Sequence, residues 1–180
     1  MKAAKESGKA LHLMGLISDG GVHSHYEHLF ALLRLAKQYG LEKVYVHGFL
    51  DGRDVAPSSG LDFVKKTEEV FGEVGVGRFA TISGRYYAMD RDKRWERVQL
   101  AYDAMVHGKG PQFDSAVAGI EASYKEEVYD EFVVPFVVTE GGQPVAEIES
   151  GDSVVFFNFR PDRAIQLGTA LSNPAFDGFD

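Results

Sequence analysis

The sequence predicts an α/β domain: a largely parallel sheet flanked by helices, three layers in all, with a small β-hairpin excursion. Two observations carry that reading. Short apolar runs alternate along the chain with stretches of helical periodicity. Four of the apolar runs then end in clusters of glycine, histidine, aspartate and arginine, and strand ends are where an α/β sheet holds its ligands.

Leu11–Ile17 reads as a buried strand that ends in the turn Ser18-Asp19-Gly20-Gly21. A helix is predicted from Ser24 to Tyr39, with Ser24 and Glu27 at capping-box spacing and Gly40 as its stop. Leu29, Leu32, Leu33 and Ala36 give it one apolar stripe. Lys43–Leu50, rich in Val, Tyr and Phe, is the next strand and leads into the polar loop Asp51–Ser59. Ser59 and Asp62 fit the start of a helix to about Phe71. Phe79–Ile82 is a short third strand. A helix from Asp90 or Asp92 to His107 places Trp95, Val98, Tyr102 and Met105 on one face, and another spans Ser115–Lys125. Phe132–Thr139 and Pro144–Ile148 form a hairpin about Gly141-Gly142. Val154–Phe159 reads as a final buried strand, followed by a helix over Asp162–Leu171 that starts on Pro161 and Asp162.

The 180 residues correspond to roughly one domain, residues 1–180. No cysteine is present, so disulfides, thiolate metal sites and thiol nucleophiles are excluded. The longest apolar runs fall short of the ~18 residues of a membrane span, and the expected setting is cytoplasmic, with no membrane partner. A net charge of −8 argues against a generic nucleic-acid binder, which carries a basic face. The arginines are not spread evenly, however. Seven of nine fall within 51–54, 84–97 and 158–163, an arrangement suited to one anion pocket in an acidic protein.

Candidate residues follow from those loops. Asp19, His23 and His25 suit a metal or an acid/base pair, or else a turn residue and an exposed first-turn histidine. Arg53 offers a rigid donor fork and Asp54 a proton acceptor; a local turn ion pair explains them equally. Arg85 and Arg91 lie in a loop and at a helix start, where anions are favoured. Arg94 and Arg97 alternate with Asp92 and Glu96 and read as a solvated helix face. Arg160 and Arg163 form either an anion fork or salt bridges to nearby carboxylates. No phosphate loop, dinucleotide fingerprint, nucleophile elbow or HExxH motif occurs, and no serine has a convincing base. The loops suit a small hydroxylated anion, yet nothing in them attacks it.

The strings GLISDGGVHSHYEHL, VYVHGFLDGRDVAP, ISGRYYAMDRDKRWERV and FFNFRPDRA, spread from Leu11 to the C-terminus, resemble the cofactor-independent phosphoglycerate mutases. That resemblance implies an enzyme of two parts. One is phosphatase-like, with two divalent metals, usually manganese, and a serine that is phosphorylated. The other is a smaller inserted α/β domain that holds the substrate, and this chain resembles the inserted domain alone. The resemblance assigns substrate binding to His23, Arg53, Asp54, Arg85, Arg91, Arg160 and Arg163, with Asp54 as the candidate proton relay. No metal ligand of the family and no nucleophilic serine has a counterpart here, so the isolated chain is expected to bind no metal and to be inactive. A family lysine lies further along, and the family domain continues past residue 180, so a truncated sheet lacking a strand is expected. The expected partners are 3-phosphoglycerate, 2-phosphoglycerate and the phosphatase-like domain. Two further readings of the residues stand: a small metal-dependent phosphoesterase using Asp19, His23 and His25, and a non-catalytic anion-binding module.

Overall fold

Strand alternation divides the apolar residues between two cores. The structure, a computed structural model, describes residues 1–179. Its elements are α1 (Lys2–Ser7), β1 (Leu11–Leu16), α2 (Tyr26–Gln38), β2 (Val44–Leu50), α3 (Gly60–Val74), β3 (Arg78–Gly84), α4 (Arg85–Ala88), α5 (Trp95–His107), β4 (Gln112–Phe113), α6 (Ala116–Lys125), β5 (Phe136–Glu140), β6 (Gln143–Pro144), β7 (Ser153–Phe156) and α7 (Ile165–Ser172). A single 3₁₀ turn, Asp130–Phe132, precedes β5. Leu11 and Leu13 of β1 and Val44, Val46 and Leu50 of β2 pack under α1, α2, α3 and α6. Met14, Leu16 and Phe49 face the opposite way, against α4, α5 and α7. The result is the expected three-layer sandwich.

The sheet runs β4-β5-β3-β2-β1-β7, with β6 paired to the outer part of β5. β1, β2, β3 and β7 are mutually parallel, so their carboxyl ends share one rim. β5 is antiparallel to β3, with Ile82 opposite Phe136. That reversal brings the start of β5, and the 3₁₀ turn before it, to the same rim. The hairpin is shorter than its apolar pattern suggests. Gly141 and Gly142, at φ 59° and 79°, close a two-residue turn of the left-handed kind that hairpins favour.

Several boundaries differ from the sequence reading for identifiable reasons. The first long helix begins at Tyr26 rather than Ser24. The Ser24 hydroxyl turns inward to the Leu16 carbonyl, and His25 Nδ1 accepts the Glu27 amide instead. Ser59 makes no side-chain cap. The α5 helix starts at Trp95 because Asp90 holds the preceding turn, accepting from the amides of Asp92 and Arg94 at 3.0 and 2.9 Å. The segment Pro161–Arg163 is a turn, and α7 begins only at Ile165. The last strand lies on the sheet edge, with Val154 40% exposed, so its apolar run does not mark a central position. Short elements without strong periodicity, α1, α4 and β4, carry no signal that the sequence pattern could register.

A buried polar line crosses the second face of the sheet. Asp152 Oδ2 meets His12 Nε2 at 2.9 Å, His12 Nδ1 meets His47 Nε2 at 2.9 Å, and His47 Nδ1 meets Thr81 Oγ1 at 2.8 Å. Two neutral rings satisfy every partner if each Nε2 carries the proton and Thr81 donates. Burial pushes both histidines below their ordinary value of 6.5, His47 furthest, and a charge on His12 would lower His47 again. A depressed base contributes stability that is complete above its unfolded value and is lost as pH falls towards the folded one. The melting temperature is therefore expected to hold steady down to about pH 6.5 and to fall by several degrees towards about pH 5. His47→Gln, a bridge that does not titrate, should flatten that fall; an unchanged slope would contradict this account.

Candidate functional site

The rim is organised around Arg85, which is only 3% exposed. It opens α4 directly after β3, and its Nη1 donates to Asp51 Oδ1 at 2.8 Å and to Asp54 Oδ2 at 2.6 Å. Asp51 ends β2 and also accepts from the Ser18 hydroxyl and from the amides of Arg53 and Asp54. Burial alone would raise the Asp51 carboxyl, but the hydrogen bonds from Asp54, Ser18, Arg85 and Arg53 outweigh it and hold it below the ordinary carboxylate value. Three strand ends are thus tied together by one buried ion pair. The sequence reading passed over Asp51, which looked like part of a turn.

His23 is buried between the loops. Its Nε2 lies 3.9 Å from Asp54 and its Nδ1 3.7 Å from Asp162. Its carbonyl accepts the Phe159 amide at 2.9 Å, which fastens the first loop to the last. Burial, then the charges of Arg85 and Arg160, depress its pKa despite Asp162 and Asp54, so the ring is neutral near pH 7. Asp162 bridges Arg91 at 2.9 Å and Arg160 at 3.0 Å. These partners are a third to a half exposed, so each pair is worth no more than about 1 kcal/mol and can exchange for a stronger anion.

Beside this network is a cavity of about 330 Å³ lined by Arg53, Arg85, Arg91, Arg97 and Arg163 with Asp90, Asp92, Glu131, Tyr86 and Phe132. The lining holds five arginines against three carboxylates in a protein of net charge −8, while Asp51, Asp54 and Asp162 pair with Arg85 and Arg91 from outside it. The guanidinium of Arg163 donates to the Met89 carbonyl at 3.2 Å. Burial and the charges of Arg91, Arg85 and Arg53 all press its pKa below the ordinary arginine value, so like charges converge there without full compensation.

Of the seven residues named from sequence, Arg53, Arg85, Arg91 and Arg163 line the cavity. Asp54, His23 and Arg160 are not in its lining: Asp54 meets Arg85, His23 lies 3.9 Å from Asp54, and Arg160 shares Asp162 with Arg91. Arg97, expected on a solvated face, instead stacks over Tyr86 at 3.8 Å and lines the cavity. Glu131 and Phe132 come from the 3₁₀ turn, which carried no motif. Asp19 is exposed and His25 caps a helix. Among the described residues, no group of three or more His, Asp or Glu is placed to hold a metal ion. The metal reading of Asp19, His23 and His25 therefore finds no matching geometry. A second cavity of about 270 Å³, between α6 and β5, is walled by Phe113, Val133, Val134 and Phe136 and is too apolar to suit a multiply charged ligand.

Comparisons with known proteins identify the family. The family model described as "BPG-independent PGAM N-terminus" matches residues 1–180. A 2,3-bisphosphoglycerate-independent phosphoglycerate mutase of Clostridium perfringens is 62% identical over 180 residues, all of this chain and 35% of that protein. One of Staphylococcus epidermidis is 59% identical over 179 residues, again with 35% of that protein covered. A solved Leishmania mexicana phosphoglycerate mutase, crystallised at low cobalt concentration, superimposes with a TM-score of 0.95 at 35% identity, covering 99% of this chain and 34% of that one. The chain thus spans about a third of the length of the relatives it matches. It belongs to the BPG-independent phosphoglycerate mutase family and corresponds to the region that the family model calls N-terminal.

Proposed function

We propose that this chain is the substrate-binding part of a mutase that interconverts 3-phosphoglycerate and 2-phosphoglycerate. The observation that carries the reading is the convergence of Arg53, Arg85, Arg91 and Arg163 on one cavity. Phosphoglycerate carries a phosphomonoester and a carboxylate, roughly −2.5 to −3 charges near neutrality. Arg163 suits the more highly charged group, because its charged neighbours are mostly positive, and Arg91 beside it is held only by a part-exposed pair to Asp162 that a stronger anion can replace. Arg53, about half exposed in the cavity lining, and Arg160, which shares Asp162 with Arg91, suit the other group. The Asp54 carboxylate, held by Arg85 and facing the neutral ring of His23, is placed to exchange a proton with a glycerate hydroxyl.

In this reading the phosphoryl group moves to a serine and back to the other hydroxyl, and glycerate must stay bound and turn between the two steps. The residues described here hold, orient and relay a proton. The metals and the serine nucleophile that the resemblance implies would then be supplied from outside this stretch. The isolated chain then binds without turning over. A glycolytic role fits a cytoplasmic setting, and no described helix is long and apolar enough to cross a membrane.

Calorimetric titration of the chain with 3-phosphoglycerate tests this. Binding is expected to weaken with added salt. Arg163→Ala and Arg91→Ala should each weaken it about ten- to a hundredfold, as for loss of a charge-assisted hydrogen bond. Wild-type affinity in both variants would contradict the proposal. Arg85→Ala should behave differently. It strands two carboxylates, one of them fully buried, and is expected to cost about 3–5 kcal/mol of folding stability as well as binding. Arg163→Ala should leave the melting temperature within a few degrees of wild type.

A further inference from the structure

We propose that Asp130 is a positioning residue of the anion cavity: it pins the segment Asp130–Val133 between the loops that carry Arg53 and Arg85, so that Glu131 and Phe132 form one wall. The inference rests on the function proposed above only for the identity of the ligand.

Asp130 is fully buried. Its Oδ2 accepts the Gly60 amide at 2.7 Å, supplying the cap of α3 that Ser59 does not provide. Its Oδ1 accepts from the Tyr124 hydroxyl of α6, and its own amide donates to the Pro57 carbonyl at 3.1 Å. The segment it anchors is seated against bare backbone. A Cβ on Gly60 would stand 2.7 Å from Asp130 Oδ1, and one on Gly52 2.9 Å from the Glu131 amide nitrogen. One on Gly84 would stand 2.3 Å from the Glu131 carbonyl, and the Gly84 amide already donates to Val133 O at 2.7 Å. Gly52 and Gly84 each immediately precede a cavity arginine. The seat therefore fixes the spacing of those arginines, while Glu131 reaches Arg53 at 3.8 Å and the Phe132 ring packs on Tyr86 at 5.2 Å between centroids.

The carboxyl sits among several ionisable groups. Tyr124 faces it from α6, Asp62 lies in the first turn of α3, Asp51 ends β2 with Arg85 bound to it, and Glu131 follows in sequence with Arg53 opposite. Burial, with a further push from Asp51, raises Asp130 to about 6, against hydrogen bonds from Tyr124 and Gly60. Once ionised, it places a second negative charge behind Asp51 and opposes an anionic ligand.

The test uses sulfate, which does not titrate in this range, and 3-phosphoglycerate, each titrated into wild type, Asp130→Ala and Asp130→Asn. Asp130→Ala is expected to weaken both ligands about tenfold through loss of the seat. Asp130→Asn keeps an acceptor for Gly60 and should restore binding. The ratio of wild-type to Asp130→Asn dissociation constants should be near one at about pH 5 and about threefold higher at about pH 7.5, because the ligand's own titration cancels. Wild-type affinity in Asp130→Ala, or a ratio that does not change with pH, would overturn the proposal. If Asp130→Ala does not fold, the Asn ratio decides alone. Binding of sulfate without 3-phosphoglycerate would sink the substrate assignment and leave this inference standing; binding of neither anion overturns both.

Discussion

The ion pair of Arg85 with Asp51 and Asp54 is the constraint on which the rim depends. A guanidinium at 3% exposure cannot stay buried without anions beside it, and it finds them at the end of a different strand. Because Asp51 also gathers Ser18 and two amides, the ends of β1, β2 and β3 are locked in one geometry. The same pairing engages Nη1 of Arg85, and the residue also lines the cavity. In the proposed reading one residue serves both folding and recognition, as a rigid five-donor fork permits and a lysine would not.

The electrostatics around that anchor are graded. Near Arg85 one guanidinium is held by two carboxylates, largely buried and expensive to disturb. Towards Arg91 and Arg160 they are half exposed and held by Asp162 alone, through pairs weak enough to exchange. At Arg163 the neighbours are mostly positive. In the proposed reading a ligand of high negative charge goes to the end of this gradient where compensation is least. The acidic balance of the rest of the surface then disfavours polyanions such as nucleic acid, which need a broad basic face rather than one small cavity.

Much of this was legible in the sequence, and the reasons are physical. Strands β1, β2 and β3 announced themselves by apolar runs, and parallel topology delivers their ends to one rim whatever the details. The loops after them were legible because arginine and histidine have little reason to follow a buried strand in packing terms. What escaped was context. Asp51 looks like any aspartate before glycine, and only the fold shows that it holds Arg85. Arg97 sits in an alternating charge pattern that a solvated helix would share. Asp130 and Glu131 lie in a segment with no periodicity and Phe132 reads as the start of a strand that begins only at Phe136; all three reach the rim because β5 runs against β3. The start of α2 was misplaced because the Ser24 side chain turns to the Leu16 carbonyl, whereas α3 does start after Ser59 but takes its capping carboxylate from Asp130.

The central claim is that arginines distant in sequence act on one anion. Nitrogen-15 spectra of the guanidinium groups, recorded as 3-phosphoglycerate is added, address it directly. The signals of Arg53, Arg85, Arg91 and Arg163 are expected to shift together along one binding curve, while those of Arg34 and Arg78 stay in place. Shifts confined to Arg34 and Arg78, or no shift among the cavity arginines at saturating ligand, would contradict it.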